Sequence, residues 1–130
     1  MKTILIIDDE EGFCSLVKEN FELGGKYNVI HETSGKGGLY AAESKNPDLI
    51  LLDVMMEDID GLEVLRRLKK GKRTMSIPVI MLSAQSAERV QKEAAGLYDE
   101  DYITKPVSMA TLKARVDDLM SRISPTADGG

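Results

Sequence analysis

Five short apolar runs punctuate this chain, and a segment of helical length follows each of them. The runs are TILIID (Thr3–Asp8), YNVIHE (Tyr27–Glu32), DLILLDV (Asp48–Val54), IPVIMLS (Ile77–Ser83) and a weaker DYIT (Asp101–Thr104). Short, and rich in aliphatic and β-branched residues, they read as strands. Helical patterns occupy about Glu10–Leu23, Gly35–Lys45, Gly61–Lys70, Ala87–Ala95 and Ser108–Ile123. In the first of these, Phe13, Leu16, Val17, Asn20 and Phe21 share one mostly apolar face. The last is the clearest: Ser108 is placed to cap it, Met109, Leu112, Val116, Leu119 and Ile123 repeat at three and four, and Pro125 ends it. The second, with Gly35, Gly37 and Gly38 near its start, is the poorest helix former.

Strand and helix alternating five times predict an α/β fold, a doubly wound five-stranded parallel sheet with helices on both faces. The first, third and fourth runs are continuously apolar, as strands covered on both sides should be. A chain of 130 residues, 42% apolar and 30% charged, fits one domain with one core. We place that domain at 1–123 and read SPTADGG, 124–130, as a flexible tail or the start of a linker. No run approaches the roughly 18 apolar residues of a membrane span. The start, MKTILIIDDE, meets acids too soon for a signal peptide, which makes the cytoplasm the expected location. A net charge of −5 argues against direct nucleic-acid binding.

Chemistry collects where an open α/β sheet binds its ligands, beyond the carboxyl ends of the strands. Those ends carry Asp8 and Asp9, Asp53, Ser83 and Lys105. The stretch LILLDVMMED is then a buried strand that delivers the Asp53 carboxylate to a rigid rim. Three carboxylates so close repel one another, and a hard divalent cation such as Mg²⁺ relieves that repulsion through oxygen ligands. A cation, an ammonium and a hydroxyl could surround a transferring phosphoryl group, and a carboxylate can itself accept one as an acyl phosphate. The self-consistent reading is Mg²⁺-dependent phosphorylation of one of these aspartates.

In order and spacing, ILIIDDE, DLILLDVMMEDIDGLEVL, IPVIMLSA and DYITKPV resemble the motifs of the response-regulator receiver domain of two-component signalling. The resemblance covers about Lys2 to Ile123 and implies a flavodoxin-like sheet of order 2-1-3-4-5. It implies Asp53 as phosphoacceptor, Asp8 and Asp9 as holders of Mg²⁺, and the backbone carbonyl of Met55 as a further ligand. Ser83 would bind a phosphoryl oxygen and move on activation, and Lys105 would pair with the phosphoryl group, followed by Pro106 through a cis peptide. Tyr102 would be the aromatic switch residue. A sensor histidine kinase or phosphotransfer protein would donate the phosphate. A downstream protein would read the face made by the fourth and fifth predicted helices and the fifth strand. Nothing in the sequence speaks to oligomeric state.

The pattern also departs from the family. Glu57 stands where Pro is usual, implying a freer and more acidic loop after Asp53, and GLYDEDY is longer than the usual turn before Tyr102. Met55 and Gln85 occupy positions that tune phosphate lifetime in the family, and an apolar Met55 offers no hydrogen bond to an attacking water. Simpler roles exist for single residues. Asp8 and Asp9 could serve the first helix's N-terminus, Ser83 or Ser86 could cap the fourth, and Tyr102 could be plain core. His31 falls away from the rim, Cys14 reads as a half-buried helix residue, and the basic run Arg66–Arg73 reads as a solvated helix end. Among other functions, an aspartate phosphatase of the haloacid-dehalogenase type would need an acid where Met55 stands. A partner-binding pseudo-receiver would be expected to lose an acid or the lysine, and both are present. The remaining alternatives are a free-standing receiver and the receiver fragment of a larger regulator.

Overall fold

The computed structural model describes residues 1–84 and 102–123. Its elements are β1 (Lys2–Ile7), α1 (Glu11–Glu22), β2 (Tyr27–Glu32), α2 (Gly35–Lys45), β3 (Leu49–Asp53), α3 (Gly61–Lys70), β4 (Val79–Ser83), β5 (Tyr102–Thr104) and α4 (Met109–Ile123). The helix expected at Ala87–Ala95, the turn leading into Tyr102, Gln85, Ser86 and the 124–130 tail lie outside the described residues.

All the strands pair in parallel in a single sheet of order β2-β1-β3-β4-β5, the flavodoxin-like arrangement expected. Alternation along each strand divides the sheet's side chains between two cores. Ile4, Ile6, Leu49, Leu51, Ile80, Leu82 and Ile103 face Cys14, Val17 and Phe21 of α1 and Leu112, Val116 and Leu119 of α4. The intervening residues Leu5, Ile7, Ile50, Leu52, Val79 and Met81 face Ala41 and Ala42 of α2 and Leu62, Val64, Leu65 and Leu68 of α3. Covering both faces is what makes the central strands apolar up to their last residues, Asp53 and Ser83: every residue of β3 and β4 is buried.

Element ends follow from local chemistry. Ser108 caps α4 as its sequence suggests, accepting from the Thr111 amide at 3.0 Å. The fourth strand starts at Val79 rather than Ile77, since Pro78 has no N–H to give the ladder and contributes its carbonyl, which accepts from Ile50. Two details of α1 differ from the periodicity reading. Its buried stripe runs through Cys14, Val17 and Phe21, leaving Leu16 45% exposed. Cys14, expected half-buried, is wholly buried, and its thiol donates to the Asp8 carbonyl at 3.2 Å. The basic run behaves as a helix end: Arg66 and Arg67 pair with Glu63, while Leu68 within it is core.

The loop from Val54 to Asp60 folds back tightly on the end of β3. The Gly61 amide donates to the Val54 carbonyl at 2.8 Å, and a Cβ on Gly61 would sit 2.2 Å from the Asp53 carbonyl oxygen. No side chain fits there without moving the strand end. Gly61→Ala should therefore lower unfolding free energy by about 1–3 kcal/mol, the usual cost of overpacking a tight contact. Urea denaturation measures it, and an unchanged midpoint would contradict this close approach.

Candidate functional site

Four strands, β1, β3, β4 and β5, converge at one rim to build the site. Asp8 follows β1 and is fully buried; one carboxylate oxygen accepts from the Glu10 amide at 2.9 Å, the other from Lys105 Nζ at 2.7 Å. Asp53 ends β3 with only 5% of its surface exposed. Its Oδ1 receives one long contact, 3.5 Å, from the Met55 amide. Asp9 lies on the exposed side. One carboxylate oxygen from each of Asp8, Asp9 and Asp53 lies within 4.8 Å of the others. An all-oxygen, anionic donor set of this kind fits a hard divalent cation of the Mg²⁺ class. Nitrogen and sulfur ligands, which would favour a softer metal, are missing from this group.

Lys105 arrives from the end of β5, where its amide donates to the Ser83 carbonyl at 2.9 Å, and the Lys105–Pro106 bond is cis. Its ammonium does not pair with Asp53. It bridges Asp8 and Glu10, both at 2.7 Å, and stands 4.5 Å above the Phe13 ring. Burial works against that charge, but the hydrogen bonds to Asp8 and Glu10 outweigh it and hold the lysine above its usual range. Ser83 closes β4, fully buried; burial raises the pKa of the nearby Tyr102 phenol, and the Ser83 hydroxyl lowers it by less. Tyr102 packs against the core shared with α2 and α3.

With Lys105 held by its neighbours, Asp53 is left short of positive charge. Burial, then the charge of Asp8, push its carboxyl up from the ordinary range to about 6, and Lys105 and the Met55 amide only partly offset them. Beneath the rim, burial and Asp8 push the Cys14 thiol up to about 12, so it is an inert packing residue.

The strand-end residues Asp8, Asp9, Asp53, Ser83 and Lys105 thus stand together, with Met55 and Tyr102 adjoining. Glu10 and Phe13 also adjoin Lys105, although from sequence Phe13 has only a place on the apolar face of α1 and Glu10 only a place at its start. Beside the lysine opens a cavity of about 390 Å³ whose walls include Phe13, Leu16, Val107 and Met109. No helix among the described residues is long and apolar enough to cross a membrane.

Comparison with known proteins gives a consistent picture. The family description of the response regulator receiver domain matches residues 4–117. The alkaline phosphatase synthesis transcriptional regulatory protein PhoP of Bacillus subtilis is 40% identical over 121 residues, 93% of this chain and 49% of that protein. The DNA-binding dual master transcriptional regulator RpaA of Synechocystis is 40% identical over 124 residues, 94% of this chain and 50% of its own length. The chain therefore spans about half the length of these curated relatives. Among solved structures, the receiver domain of Francisella response regulator 1452 superposes with a TM-score of 0.84 at 32% identity, covering 95% of this chain and 99% of that one. A CheY-like receiver domain protein from Methanospirillum hungatei matches at a TM-score of 0.85 and 24% identity, over 94% of this chain and 95% of its own, and supports the fold alone.

The raised Asp53 pKa has a stability consequence whose sign is definite. Folded Asp53 keeps its proton to about pH 6, while in the unfolded chain the proton leaves near pH 4 (roughly the model-peptide value). Its favourable contribution is therefore present below that lower value and lost as pH rises through about 6. In metal-free buffer at pH 8, Asp53→Asn should be more stable than wild type by about 1–3 kcal/mol, with the gap closing toward pH 4. Urea titrations of both proteins in chelator across that range measure it. Equal stability at pH 8 would contradict the crowding of charge.

Proposed function

The chain belongs to the response regulator receiver domain family, and from that premise we propose that it is a phosphoacceptor switch with Asp53 as the acceptor. Phosphorylation on an aspartate is the general property of that family. The observation that carries the assignment to Asp53 is its place at a buried strand end, with two further carboxylates beside it and an ammonium one residue away through Asp8.

In the proposed reaction, an Asp53 oxygen attacks phosphorus on a phosphohistidine of a sensor kinase or phosphotransfer protein. The P–N bond breaks as the new P–O bond forms, and the imidazole leaves to take a proton. Asp8, Asp9, Asp53 and the Met55 carbonyl would hold Mg²⁺, which supplies positive charge against the phosphoryl oxygens. Lys105 would exchange Glu10 for a phosphoryl oxygen, and the Ser83 hydroxyl would donate to another. Water later attacks the acyl phosphate and returns the free aspartate. The chain would turn over no other substrate. The cavity beside Lys105 would offer an apolar foothold for the donor protein.

The output reading rests on Ser83 and Tyr102. Because the Ser83 hydroxyl acts on the Tyr102 phenol, a Ser83 drawn toward a phosphoryl oxygen would alter the surroundings of Tyr102. That would couple the acceptor to the outer face of β5 and α4, where a partner protein could sense it. A second reading concerns extent: the curated relatives are about twice as long and are named as transcriptional regulators. The partner of this face could thus be an output module in the same polypeptide, and any DNA binding would belong to that module rather than to this acidic domain.

Incubation with Mg²⁺ and a small acyl-phosphate donor, followed by intact mass, tests the chemistry. Wild type should gain one phosphoryl group, and both Asp53→Asn and a chelator-treated sample should gain none. Wild type that binds neither Mg²⁺ nor beryllofluoride would overturn the proposal in favour of a partner-binding pseudo-receiver.

A further inference from the structure

The loop from Val54 to Asp60 carries the Met55 carbonyl and leads directly out of Asp53; Met56 and Ile59 pack half-buried against the core shared with α2 and α3, while its charged residues face outward. Met55, Glu57, Asp58 and Asp60 are exposed, and only Val54 is fully buried. Glu57 occupies the turn without the φ restriction a proline would impose. A carboxylate at the loop's far side adds a tie to a second element. Asp58 Oδ1 accepts from the Gly35 amide at 2.9 Å, and Oδ2 accepts from the Lys36 amide at 3.0 Å.

Those two N–H groups are the first of α2 and have no partner inside the helix. Ser34 provides the remaining capping, its hydroxyl accepting from Gly37 at 3.0 Å. The two caps differ in what they connect. Ser34 binds its own helix, whereas Asp58 binds the helix from across the acceptor loop. The approach is close: a Cβ on Gly35 would lie 3.0 Å from both Ile59 Cβ and Val64 Cγ2. Glycine at that position lets helix and loop meet. Three glycines near its start also make α2 a poor helix former that depends on its caps. The paired amides favour the ionised carboxylate, holding Asp58 below the usual range.

We propose that Asp58 is a positioning residue for the acceptor site. By clasping the N-terminus of α2 with both carboxylate oxygens, it holds the loop so that Asp53 and the Met55 carbonyl stay set for cation and phosphoryl binding. Asp58 touches neither group itself. The proposal rests on the reading of Asp53 as a metal-assisted acceptor.

Two variants separate positioning from plain helix capping. Ser34→Ala removes a cap from α2 without touching the loop; Asp58→Ala removes a cap and the tie together. Both should lower the melting temperature. Mg²⁺ alone is then titrated into each protein and followed by backbone amide shifts, and the acyl-phosphate reaction is timed with saturating and limiting Mg²⁺. Asp58→Ala should bind Mg²⁺ about tenfold more weakly, as expected when support behind a metal site is lost, and Ser34→Ala should match wild type. Excess Mg²⁺ should restore most of the Asp58→Ala rate. Asp58→Asn keeps one acceptor oxygen, should fold like wild type, and should fall between the two; it decides the matter if Asp58→Ala does not fold. Unchanged Mg²⁺ affinity in the Asp58 variants, or equal weakening in Ser34→Ala, overturns the proposal. Wild type that fails to bind Mg²⁺ would overturn the proposed function along with it.

Discussion

Lys105 sets one ammonium against the carboxylates of a buried rim, and it is spent on Asp8 and Glu10 rather than on Asp53. Much of the molecule's behaviour follows from that imbalance. Asp8 has an ammonium partner, which offsets part of the cost of burying its charge. Asp53 has no such partner, and its carboxyl is pushed up toward neutrality. Asp8, Asp9 and Asp53 could hold a divalent cation, which would convert the repulsion among the three acids into attraction. On the proposed function, that charge would also lessen the repulsion between the Asp53 oxygen and the phosphoryl group it attacks.

Such an arrangement needs a frame that will not relax. An isolated Asp53 on a loop would swing toward water and lose its strain within a residue or two. Here it ends a strand whose every residue is buried, flanked by β1 and β4 through parallel ladders. The two cores on either side are built from alternate residues of the same strands, so tilting the rim would disturb both. Beyond the strand the frame becomes thinner, and the loop is held by point contacts: Gly61 folded against the Asp53 carbonyl, and Asp58 reaching to α2.

The sheet order and the rim residues were legible in the sequence because they depend on short-range pattern. Apolar runs broken by helical segments leave few topologies, and the residue that closes each run must lie at the carboxyl edge. What escaped notice depends on side-chain reach and helix rotation. Leu16 and Cys14 lie two residues apart on α1, and a modest rotation decides which of them is core; the periodicity favoured Leu16, whereas the helix buries Cys14 beneath Asp8. Glu10 lies just past the acidic pair, and nothing in its position says that Lys105, 95 residues later, will turn to it. Asp58 is one of several acids in a polar loop, and its role emerges only when α2 arrives from earlier in the chain.

Carboxyl-carbon NMR of Asp53 across pH, with and without Mg²⁺, measures the shortage of positive charge at this carboxylate. In metal-free buffer Asp53 should titrate near 6, the value that burial and Asp8 impose. Saturating Mg²⁺ should carry that titration below the ordinary aspartate range. An Asp53 that titrates like a solvent-exposed aspartate without metal, and does not respond when Mg²⁺ is added, would contradict the account.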